Sequence, residues 1–109
     1  MFVAQQVASE LIRSLHDALV QIGRHDRSLV QQLRNAASSV VLNVAEGNRR
    51  FGRDRLHFFR IAAGSAAEVA AALEVAVAWR YVDGDAVSAS LALVDRELGL
   101  LYGLTHRRR

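Results

Sequence analysis

The chain contains no cysteine and no proline, and its 14 basic residues are all arginine, with no lysine among them. Without cysteine there is no disulfide framework, no thiolate nucleophile and no thiolate metal site, a usage compatible with the cytoplasm. Without proline, long helices run uninterrupted. The start from Met1 to Ile22 is broken by Glu10, Arg13, His16 and Asp17, and no run of about 18 apolar residues follows, so the chain is expected to be soluble and cytoplasmic. Charged residues make up 23% against 51% hydrophobic, which excludes disorder and leaves a net charge of +3.

What is present is enough for one core. A length of 109 residues fits a single domain, 1–109, and the wealth of Ala, Leu, Val and Arg favours an all-α fold. Apolar residues at threes and fours (Val7, Leu11, Leu15, Ala18, Leu19, Ile22) predict a first helix over about 3–22, stopped by Gly23. Asp26 or Ser28 can cap a second helix, about 28–46, whose inward stripe is Val30, Leu33, Ala37, Val40 and Val44. The GNRRFG turn leads to a third helix, about 53–80, begun by Gly52 or Asp54. From Ala66 to Trp79 only Glu68 and Glu74 are polar, so this helix asks for burial on more than one side, and a second subunit is expected. Asp85 can cap a fourth helix, about 85–104, with Val87, Leu91, Val94, Leu98 and Leu101 at heptad spacing, ahead of a basic tail, 105–109. Short turns joining four helices predict an antiparallel up-down-up-down bundle.

Catalysis finds little support. No Glu is followed three residues later by His, as bundle di-metal sites require, and Asp54 to His57 is the only loose analogue. The four histidines form no His-x-x-x-His pair, and Gly64-Ser65 lacks the glycine pattern and preceding strand of a nucleophile elbow. No metal, no cofactor and no enzymatic activity are expected.

The polar residues inside the apolar stretch 38–68 need partners, because a buried unsatisfied polar group costs about 1–3 kcal/mol. Arg34, Ser39, Asn43, Glu46, Gly47, Ser65 and Glu68 are read as architecture. A hairpin centred near Arg50 would bring Arg34 towards Glu68, Asn35 towards Ser65 and Asn43 towards His57. Glu68 is then expected to receive hydrogen bonds from the second helix, from Arg34 in particular, with Ser39 or Ser65 allowing close backbone approach.

The residues Ser39-Val40, Asn43-Val44-Ala45-Glu46-Gly47, Arg50, Phe58 or Phe59, Ile61-Ala62, Gly64-Ser65 and Glu68 resemble the S-x-x-x-N-[IV]-A-E-G … F … I-A-x-G-S-x-x-E pattern of a family of four-helix bundle proteins. That family comprises the products of intervening sequences in bacterial 23S ribosomal RNA genes, also called S23 ribosomal proteins, and, more distantly, the accessory variability proteins of diversity-generating retroelements. The resemblance implies a four-helix bundle assembling into a homopentameric ring. In the retroelement relatives it implies association with nucleic acid. The first turn, GRHDR, departs from the family's proline and acidic residue.

The up-down topology places Arg49, Arg50, Arg53 and Arg55 at the same end as Arg107, Arg108 and Arg109, while Arg24, Arg27 and Arg80 at the other end are balanced by Asp26, Asp83 and Asp85. These seven arginines are the candidate RNA- or DNA-binding residues of a non-catalytic oligomer, with Phe51 able either to stack on a base or to anchor its loop. The alternative is a protein-interaction scaffold whose basic end meets an acidic protein partner. A membrane partner is not expected, because the basic cluster lies in a turn rather than along one amphipathic helix.

Overall fold

The computed structural model describes residues 2–106. It contains α1 (Val3–Ser14), α2 (His16–Gly23), α3 (Arg27–Asn48), α4 (Gly52–Ala78) and α5 (Gly84–Thr105), and no strand among the described residues. α1 and α2 form one arm of a four-arm bundle about 46 Å long. α3 packs on α4, α4 on α5, and α1 on both α3 and α5, so α4 sits diagonally across from the α1–α2 arm.

The arm expected as one helix over 3–22 is interrupted at Leu15. The Ser14 hydroxyl bonds back to the Leu11 carbonyl at 2.7 Å and meets the Ser90 hydroxyl of α5 at 2.7 Å. The Leu15 amide then turns to Ile12 at 3.1 Å, a tighter i to i−3 bond. A side chain competing for the helix's own ladder is a sufficient cause for such a break.

Asp26 caps α3, accepting a hydrogen bond from the Leu29 amide at 3.0 Å. α5 begins differently from expectation. Its N-cap is Asp83, with extended backbone and no side-chain capping bond, and Asp85 stands inside the first turn. α4 ends in a reciprocal pair, Arg80 N–H to the Val77 carbonyl and Tyr81 N–H to the Ala76 carbonyl, both at 2.9 Å. Arg80 takes the left-handed conformation this motif needs, with φ 64°, where glycine is usual.

The core runs the length of the bundle, with Phe59, Leu11, Leu15, Ile22, Leu33, Leu73 and Leu101 among its largest fully buried side chains. α4 is long and apolar enough, by length and composition alone, to cross a membrane. In the bundle Phe59, Ala62, Ala66, Val69, Ala72, Leu73 and Ala76 are its buried side, and its opposite face is exposed.

Candidate functional site

The motif residues close the α3–α4 seam. Ser39 and Ser65 share a hydrogen bond of 2.7 Å, and the Asn43 amide donates to the Ser39 carbonyl at 2.8 Å and to its hydroxyl at 3.0 Å. Three polar side chains thereby satisfy one another in a half-buried seam. Gly47 is favoured by proximity: a Cβ there would lie 2.6 Å from the ring of Phe59, which is fully buried.

The register of this hairpin differs from the expected one by a helical turn. Ser65 meets Ser39, not Asn35. α4 starts about one turn beyond the end of α3, by way of Gly52 at φ 58°. Arg34 and Glu68 are not paired either, because Arg34 lies on the side of α3 that faces α1–α2 and not on the side that carries Ser39. Both are exposed, and neither has a hydrogen bond or ion pair among the described residues. The expectation that Arg34 donates to Glu68 is corrected on this ground.

The overhang of α4 assigns the turn's arginines to two different jobs. Arg55, reaching back, donates from Nη1 to the carbonyls of Gly47 at 3.1 Å and Asn48 at 3.3 Å, neutralising the negative end of α3. Its guanidinium also lies 4.9 Å from the Phe59 ring centre and 6.0 Å from that of Phe2. Arg50 donates from Nε to Glu46 at 2.8 Å, stands 3.7 Å from the Asp54 carboxylate and covers Phe58 at 5.1 Å. Arg49 and Arg53 are exposed, and their side chains make no hydrogen bond or ion pair among the described residues. Between them Phe51 is 90% exposed, the most exposed of the large apolar side chains. The contact of Arg55 with Phe2 shows that the chain start lies at this end of the bundle. Arg107, Arg108 and Arg109 lie outside the described residues.

A groove of about 510 Å³ opens between the α1–α2 break and α3. Leu15, Leu19 and Ala37 contribute its apolar floor, Arg13, His16 and Arg34 line it with basic groups, and none of its lining residues is acidic.

Sequence reasoning missed Glu97. The buried stripe of α5 is Val87, Ser90, Val94, Glu97 and Leu101, one position around from the expected stripe, which placed Leu91 and Leu98 inward. Glu97 is 0% exposed, and neither carboxylate oxygen has a hydrogen-bond partner among the described residues. Burial pushes its carboxyl up from 4.5 to about 7, against a smaller lowering by the Arg96 charge. No signal in the sequence selects it, because Val87, Val94 and Leu101 are shared by both stripes and fit 90 and 97 as well as 91 and 98. Among the described residues no cluster of His, Asp or Glu could hold a metal ion.

The family model described as 23S rRNA-intervening sequence protein matches residues 3–103. The chain belongs to that family. A crystal structure of a protein with unknown function from the S23 ribosomal protein family of Bacteroides thetaiotaomicron VPI-5482 superposes with a TM-score of 0.83 at 16% identity, covering 94% of this chain and 97% of that one. At that identity the likeness shows the shared bundle fold. No curated protein matches the chain.

Proposed function

We propose that this intervening-sequence protein is a non-catalytic, self-associating bundle that holds RNA or DNA through its basic end. The observation carrying this reading is the tip of the α3–α4 turn, where an almost fully exposed Phe51 stands between two arginines, Arg49 and Arg53, with no internal partner among the described residues. An exposed aromatic beside free guanidinium groups is the arrangement that stacks on bases and neutralises phosphates without reading sequence. Self-association, pentameric by the family resemblance, would repeat the tip and turn a weak contact into a polyvalent one.

Titrating generic RNA and duplex DNA with the full chain, across a range of salt, tests the reading. Binding at low salt that weakens steeply as salt rises is expected. No measurable binding at low salt defeats the reading and leaves the basic end to an acidic protein partner.

A further inference from the structure

Two surfaces of the bundle have no partner within the chain, and they are complementary in charge. The first is the groove between the α1–α2 break and α3, with an apolar floor and Arg13, His16 and Arg34 around it. Arg13 and Arg34 make no ion pair among the described residues. The second is the outer face of α4. Trp79 is 68% exposed there and Val75 42%, with Ile61 exposed on the same side. Glu68 and Glu74 are both exposed on that face, and neither has an ion pair or hydrogen bond among the described residues. Helical spacing sets them about 9 Å apart along the axis, with Glu68 in line with Ile61 and Val75 and Glu74 about a third of a turn round to one side.

Exposed apolar surface of this extent on a helix otherwise embedded in a core marks a contact surface. α4 lies diagonally across the bundle from the α1–α2 arm, so the face and the groove cannot meet in one molecule. We infer that the outer face of α4 in one copy seats in the α1–α2/α3 groove of a second copy, with Glu68 and Glu74 meeting Arg13, Arg34 and His16. This inference rests on the self-association in the proposed function and names the surfaces that perform it. Because the two surfaces differ, the contact is head-to-tail, and repetition closes into a ring when the rotation allows. It also accounts for Arg34 and Glu68, which lie on different faces of the monomer: they pair between copies rather than within one.

Light scattering coupled to size exclusion, on the full chain with circular dichroism to verify helicity, tests this. Glu68→Arg with Glu74→Arg is expected to shift the wild-type oligomer to the 12.0 kDa monomer, as is Arg13→Glu with Arg34→Glu. The chain carrying all four reversals is expected to recover the oligomer, since its new face fits its new groove. Wild-type mass retained by both double variants, or a quadruple variant that stays monomeric while helical, overturns the assignment of surfaces while self-association stands. A wild-type chain that is monomeric at high concentration overturns self-association itself, and this inference with it.

Discussion

The α3–α4 seam and the α1–α5 seam are each closed by a serine pair at 2.7 Å, Ser39 with Ser65 and Ser14 with Ser90. Beyond that pair they diverge. In the α3–α4 seam Asn43 joins the serines, Arg55 caps the end of α3, and Gly47 lets the Phe59 ring lie against the helix backbone. In α5, two turns along from Ser90, Glu97 is fully buried with both oxygens unpartnered. Hydroxyls that bond each other are a cheap way to bring two helices together, whereas a carboxylate without a donor opposes folding whenever it is charged. The number of polar residues in a seam therefore says little about its stability; whether each has a partner says a great deal.

The largest expected effect comes from removing the odd group. The folded chain holds the Glu97 proton up to about pH 7 and the unfolded chain releases it near 4.5, so stability falls as pH rises between those values. Glu97→Met is expected to stabilise the bundle by about 3 kcal/mol more at pH 8 than at pH 4.5, where only the cost of burying an unpartnered neutral carboxyl remains, read from urea melts at both pH values. A gain of equal size at both pH values would remove the carboxylate's charge as the cause. Gly47→Ala is expected to cost about 2 kcal/mol despite the better helix former, because its methyl group overpacks against Phe59. A neutral result would mean that the ring can shift. The smallest effects should come from the two serine pairs, where Ser39→Ala and Ser90→Ala each cost about 1 kcal/mol. A much larger loss at Ser90 would show that its contact with Ser14 also supports the break at Leu15.

The helical period, the turns and the Asp26 cap were legible in the sequence because each is a local pattern. The register of the α3–α4 hairpin was not, since Gly52 at positive φ allows α4 to start a turn beyond α3, and nothing in a string of residues shows that overhang. The roles of Arg50 and Arg55 followed the register out of sight: their neighbours Arg49 and Arg53 are the same residue type in the same turn, and only geometry separates them. Glu97 stayed hidden because Leu91 and Leu98 offer an equally regular heptad one position around the helix. At the break at Leu15 the Ser14 back-bond to Leu11 is local, but the Ser90 hydroxyl that meets Ser14 lies 76 positions away and is out of reach of any local pattern.

The central claim, that Arg49 and Arg53 meet the ligand while Arg50 and Arg55 hold the turn, is tested most directly by comparing two charge-matched double variants in salt titrations of duplex DNA binding. Arg49→Gln with Arg53→Gln is expected to keep the wild-type melting temperature and to lose about 2 units of log-log salt slope per engaged tip. Arg50→Gln with Arg55→Gln is expected to melt lower and, while folded, to keep the wild-type slope. Equal loss of slope from both pairs, or an undiminished slope without Arg49 and Arg53, would contradict the assignment.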